Sequence, residues 1–222
     1  IRSKKYNLIM SEDIEIINQN TRIEKIKNFF SNNYKKLIGG LILILLFLFL
    51  YFGYLEYKKR QKEEIAEIYN QITLKELTTK DVGDIKRLIE IIEKKDPVYS
   101  ALSLYFIVEN KLVNDKKEIN NLFDLVIDSQ VENELKNLII YKKALYNSDL
   151  VSENELLEIL NPILKSESVW KSHALLLMAD YFAYNKNLIK SKDFLEEILN
   201  SETVNNEIRI EAERRLKRSS GG

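Results

Sequence analysis

The chain has 222 residues, in which 34 Lys and Arg balance 34 Asp and Glu, with one His and no Cys. No disulfide, thiolate metal site, cysteine nucleophile or lipidated cysteine is therefore possible, and a neutral balance offers no broad basic surface for nucleic acid. Six Gly and two Pro leave few places for hairpins or long loops.

The charge is unevenly placed. Residues 1–36 carry eight basic against four acidic side chains, which leaves the rest mildly acidic, with 26 against 30. Met10-Ser11-Glu12-Asp13 has the look of a natural start, with residues 1–9 as an upstream extension. Residues 1–36 read as an N-terminal tail, and 11–28 as polar, weakly helical and mobile.

Residues 37–55 follow without one charged side chain, from Leu37 through Gly40, Leu45 and Leu50 to Leu55. At a rise of about 1.5 Å per residue this run reaches roughly 28 Å, close to the hydrocarbon thickness of a bilayer. A buried core helix would show a polar stripe, and none is present. A cleavable signal peptide would end in small residues, whereas Tyr54-Leu55-Glu56-Tyr57 offers no such site. Tyr34 at one end and Tyr51, Tyr54 and Tyr57 at the other suit an interfacial aromatic belt, and Lys58, Lys59, Arg60 and Lys62 suit lipid headgroups. Gly39, Gly40 and Gly53 form no small-xxx-small pair, so the span carries no dimerisation signal.

After the span the apolar residues recur with a helical period. Ile65, Ile68 and Ile72 extend the membrane helix into the domain. Ile85, Leu88, Ile89 and Ile92 make the next stripe, and Leu122, Phe123, Val126 and Ile127 another. Leu156, Leu157, Leu160, Ile163 and Leu164 make a third, and Phe194, Leu195, Ile198 and Leu199 a fourth. More apolar helices are expected between them, over 98–113, 131–146 and 169–184. Asp96-Pro97 reads as a cap before a first-turn proline, and Asp115/Glu118, Ser129/Glu132 and Ser152/Glu155 as capping boxes. Glu211/Arg215 and Glu213/Lys217 are i,i+4 pairs on a closing helix. No segment reads as a strand.

The stripes end at Ile92, Ile127, Leu164 and Leu199, intervals of 35, 37 and 35 residues. A helix–turn–helix unit near 34 residues is the tetratricopeptide (TPR) period. A generic helical bundle is the competing arrangement; the period favours degenerate repeats. The expected fold is all-α. A transmembrane helix at 37–55 precedes a TPR-like α-solenoid at 56–218, of about four helix pairs plus a C-terminal helix, and 219–222 form a disordered tail.

Taken together, the Met-Ser-Glu-Asp start, the short tail, Lys35-Lys36-Leu37-Ile38-Gly39-Gly40, the single span, the charged helix and the degenerate repeats resemble the YfgM-like proteins. Tyr99-Ser-Ala-Leu-Ser-Leu-Tyr105 and Trp170-Lys-Ser-His-Ala-Leu-Leu-Leu-Met-Ala-Asp180 are similar to the first helices of that family's repeats. The resemblance implies an ancillary subunit of the SecYEG translocon in the bacterial inner membrane. It further implies a cytoplasmic N-terminus, a periplasmic repeat domain, partnership with the prolyl isomerase PpiD, and a chaperone-like role. Five basic residues before the span, within 22–36, against four after it barely orient the chain; the resemblance supplies the orientation.

Nothing in the chain assembles into catalytic chemistry. His173 stands alone, with no serine elbow and no ligand partners, and reads as structural. Glu63-Glu64 and Glu196-Glu197 splay apart on a helix. No glycine-rich phosphate loop occurs, and neither a cofactor nor a metal is called for. What remains is binding of a peptide or protein on stacked helices. Tyr105, Tyr141, Trp170, Tyr181 and Tyr184, on the first helices of the repeats, are the candidate partner-binding residues, with core packing as the competing role of each. An envelope-assembly or division scaffold built on the same repeats is the second reading.

Overall fold

A computed structural model describes the backbone of residues 2–75, 81–201 and 204–220, and the side chains of these from residue 22 to 218. Nine helices lie among the described residues: α1 (Arg2–Thr73), α2 (Val82–Glu93), α3 (Tyr99–Glu109), α4 (Lys116–Ser129), α5 (Asn133–Asn147), α6 (Glu153–Leu164), α7 (Lys171–Tyr184), α8 (Leu188–Asn200) and α9 (Asn206–Ser220). No strand occurs among them. The chain divides into two compact units between Gln61 and Lys62.

The first unit is α1 as far as Gln61. Its backbone is helical from Arg2, where the sequence suggested a weakly structured tail. No Pro or Gly precedes Gly39, so nothing stops a helix once it is nucleated. Over the apolar run every large side chain faces solvent, and none of it is buried against protein. A Cβ added at Gly39, Gly40 or Gly53 would meet nothing within 4 Å. This is the one described helix long and apolar enough to cross a membrane.

The second unit starts with the last turns of α1, where Ile65 and Ile72 are buried and Tyr69 meets Tyr99 with ring centroids 5.8 Å apart. Stripes read from the sequence become the core: Leu88 and Ile92 of α2, joined there by Ile91; Leu122, Phe123 and Val126 of α4; Leu156, Leu160 and Ile163 of α6; Leu195 and Ile198 of α8. Each such side chain is worth about 1.5–3 kcal/mol when taken from water. Three apolar clusters follow one another along the chain, with α7 contributing to both the second and the third. Small buried serines bring helices together: Ser100 Oγ donates to the Ile91 and Ile92 carbonyls, and Ser191 Oγ to that of Ala179.

From α2 onward, sequential helices pack on each other, and α2 with α4, α5 with α7 and α7 with α9 also meet. The odd helices α3, α5, α7 and α9 begin at residues 99, 133, 171 and 206, intervals of 34, 38 and 35. Polar bonds tie one helix pair to the next over the same separation. Gln130 Nε2 donates to the Pro97 carbonyl at 3.0 Å, 33 residues away. Ser168 Oγ donates to Glu134 at 2.7 Å, 34 residues away, Lys190 Nζ to Glu153 at 2.6 Å, 37 away, and Arg215 pairs with Asp180, 35 away.

Helix starts follow local chemistry. Asp96 Oδ1 accepts from the amides of Val98 and Tyr99, and Asp115 Oδ1 from those of Lys117 and Glu118. Ser152 and Glu155 form a reciprocal capping box. Ser129 does not cap α5, contrary to the sequence pattern. It ends α4 instead, its hydroxyl donating to the Val126 carbonyl, and Glu132 at the N-cap of α5 makes no side-chain capping bond. Ser129 was claimed by the helix behind it, because a serine in a last turn can bond a carbonyl three residues back. α9 carries the Glu211–Arg215 pair and runs to Ser220, two residues past the expected limit of the domain; residues 221–222 lie outside the described residues.

Candidate partner-binding surface

Four of the five aromatic candidates are packed and one is open. Tyr105, on α3, is half-buried against the first apolar cluster. Its hydroxyl has no hydrogen-bond partner among the described residues, and burial, with the Glu109 charge, pushes the phenol up to about 12. Lys142 Nζ of α5 stands 5.4 Å from the Tyr105 ring centroid, a cation–π bridge between the two helices.

Tyr141 of α5, with Trp170 and His173 at the start of α7, forms a three-ring cluster. Tyr141 stacks on Trp170 at 5.8 Å, and His173 meets Trp170 at 5.1 Å and Tyr141 edge-on at 5.8 Å. Burial lowers the His173 pKa, and its Nδ1 has no hydrogen-bond partner among the described residues. Burial and the charge of Asp180 raise the pKa of Tyr141. The imidazole is thus kept neutral as a packing ring. Among the described residues no three His, Asp or Glu side chains gather as a metal site. A cleft of about 360 Å³ opens beside these rings, lined by Val169, Trp170, His173, Val204 and Asn205.

Tyr181 is held by the second cluster, its hydroxyl donating to the Val151 carbonyl at 3.3 Å. Tyr184, at the end of α7, is 81% exposed. It is joined there by two residues that sequence reasoning missed, Leu188 at 65% and Ile189 at 78%. Leu188 lies three residues before Ser191, in register with the buried Ser191, Leu195 and Ile198, so periodicity assigns it to the core. Periodicity does not reveal that the first turn of α8 lacks a covering neighbour. Lys186 lies between them in the left-handed conformation, φ 60°, and Asn187 donates to the Phe182 carbonyl, closing a Schellman turn.

A second concavity was also beyond the sequence, because three helices build it. A groove of about 500 Å³ runs over Ile127, Ile140 and Ile159, with Asp124, Glu155 and Glu158 on its rim. Lys143 Nζ neutralises Asp124 at 2.6 Å. Asn120 and Asn147 lock α4 to α5 at its edge through paired amide bonds of 3.1 and 2.8 Å. The hydroxyl and amide of Ser152 hold the Glu155 carboxyl below the usual range.

No family model matches the chain, and no curated protein or solved structure matches it.

Proposed function

We propose that this chain is a membrane-anchored, non-catalytic interaction module, its apolar run spanning the bilayer and its helix pairs forming a TPR-like α-solenoid that grips protein partners. The observation that carries the reading is the recurrence of polar bonds 33–37 residues apart, in the chain that follows an apolar helix whose side chains are not buried against protein. Stacked pairs tied at a near-constant interval expose extended surfaces, and the Tyr184–Leu188–Ile189 edge is one uncovered apolar part of this one.

The partner proposed is the Sec machinery. The chain would be an ancillary subunit of SecYEG acting with a PpiD-like isomerase on emerging secretory proteins, its N-terminus cytoplasmic and its repeats periplasmic. The order of elements and the segments around Tyr99 and Trp170 support this, through their resemblance to the YfgM-like proteins. The second reading, an envelope-assembly or division scaffold, uses the same surface.

A photocrosslinking residue at Tyr184 or Ile189, in the full chain in intact membranes, separates them. Sec subunits or a prolyl isomerase among the adducts support the first, and division or assembly proteins the second. Adducts no different from those at exposed Glu93 remove the surface assignment. A C-terminal reporter active only in the cytoplasm overturns the orientation.

A further inference from the structure

Just before the apolar run, α1 carries a second pattern, of which the span uses only Tyr34 and the repeats nothing. Ile23, Ile26, Phe30 and Tyr34 recur at intervals of three, four and four residues and so share one line along the helix, with Phe29 at its margin. All five face solvent, and no described element covers them. Lys27 borders this line on one side and Arg22 on the other, while Glu24, Lys25, Asn28, Lys35 and Lys36 occupy the far side and Ser31 its flank. Residues 22–36 hold five basic side chains and one acidic, a net charge of +4.

We propose that residues 22–30 form an amphipathic helix lying in the anionic headgroup surface of the bilayer that the adjoining run enters. The inference rests on the membrane span proposed above. Charge decides the occupant. An apolar line bordered by Arg22 and Lys27, on a segment of net positive charge, suits a surface of anionic lipid, into which the line sinks while the bordering basic side chains reach for phosphates. Distance decides the posture. Fourteen residues separate Ile23 from Leu37, about 21 Å along a straight helix, whereas the headgroup layer is only about 5–8 Å deep on each side. A straight, upright α1 leaves the apolar line in water; laid flat, it meets lipid along its length. Ser31-Asn32-Asn33 supply the place to turn. Such residues compete for backbone bonds, and Asn33 Nδ2 already donates to the Phe29 carbonyl at 2.9 Å.

The chain has no cysteine, so single cysteines can be placed without interference. Spin labels at positions 23, 26 and 30, at 24, 28 and 31, and at Leu45 are compared in the full chain in nanodiscs of phosphatidylcholine with and without phosphatidylglycerol, and in native membranes. The expected result is oxygen accessibility of lipid depth at 23, 26 and 30 and aqueous accessibility at 24, 28 and 31, only where phosphatidylglycerol is present. F30E should return 23 and 26 to water. Aqueous accessibility at all six positions with Leu45 in lipid overturns the in-plane helix and leaves the span standing. Leu45 in water removes both. Equal insertion in the two lipids overturns the anionic surface as occupant. Labels immobilised but shielded from oxygen in native membranes mean that a protein covers the line, which also overturns it.

Discussion

Residues 37–55 of α1 and the whole of α7 are both oily, and their side chains meet opposite surroundings. The first has no charged residue; α7 has only Lys171 and Asp180 as charged groups, with Ser172 and His173, among Leu, Ala, Met and aromatic residues. Leu45 is 56% exposed, whereas Leu175 is 1% exposed and Met178 beside it is wholly buried. Apolar content states that a segment leaves water, and says nothing of what it enters. α7 enters protein, because α5, α8 and α9 supply facing stripes at the right distance along the chain. The apolar run of α1 has no such neighbours among the described residues, and it is long and apolar enough to cross a membrane.

The most forceful way to break this comparison is to charge the run. Leu45→Arg with Leu46→Arg should disfavour insertion by about 6–8 kcal/mol, so that the protein is released by alkaline carbonate while a Leu45→Ile chain stays with the membrane pellet. A cavity in the protein-packed counterpart comes next. Leu160→Ala removes a fully buried side chain and should lower unfolding stability by about 2–5 kcal/mol. This is read by urea titration of the domain's circular dichroism in detergent. Leu45→Ala should leave that midpoint where it is, since Leu45 touches none of the core.

Acid sharpens the contrast more gently. Burial lowers the His173 pKa in the folded chain, so below about 6.5 the unfolded chain binds the extra proton first. Stability is therefore full above that pH and falls as pH drops through it, until the folded imidazole itself protonates. Urea midpoints measured between neutral and mildly acidic pH should decline, and His173→Gln should flatten that part of the decline.

The smallest effect concerns turns. Lys111 and Lys186 hold the left-handed conformation after α3 and α7, at φ 51° and 60°. A side chain there is strained and glycine is not, so Lys111→Gly and Lys186→Gly should each raise stability by about 0.5–1 kcal/mol. Thermal unfolding checks this, and a loss of stability in either would count against the turn geometry.

Much of the fold was legible because helices announce themselves locally. The stripes through Leu88, Val126, Leu160 and Ile198 have the period of a helix and became its buried face, and Ser152 with Glu155 became the capping box their spacing suggested. Ser129 was misread because its hydroxyl has two possible local partners, and packing of the turn chose between them. The candidate site was less legible. Tyr181 and Tyr184 lie three residues apart on one helix, yet one hydroxyl is tied to Val151 and the other ring is bare. Nor could periodicity distinguish Leu188 from Leu195.

Composition and period by themselves determined that this chain is helical, carries one uninterrupted apolar run of bilayer length, and has apolar stripes ending at intervals near 35 residues. Each of these depends only on near neighbours in the chain. Only the tertiary structure decided that the run has no protein neighbour, which aromatic rings pack and which stands open, and that Asp124, Glu155 and Glu158 rim one groove. Those outcomes depend on side chains far apart in sequence meeting across helices, and no local pattern records where a neighbouring helix ends.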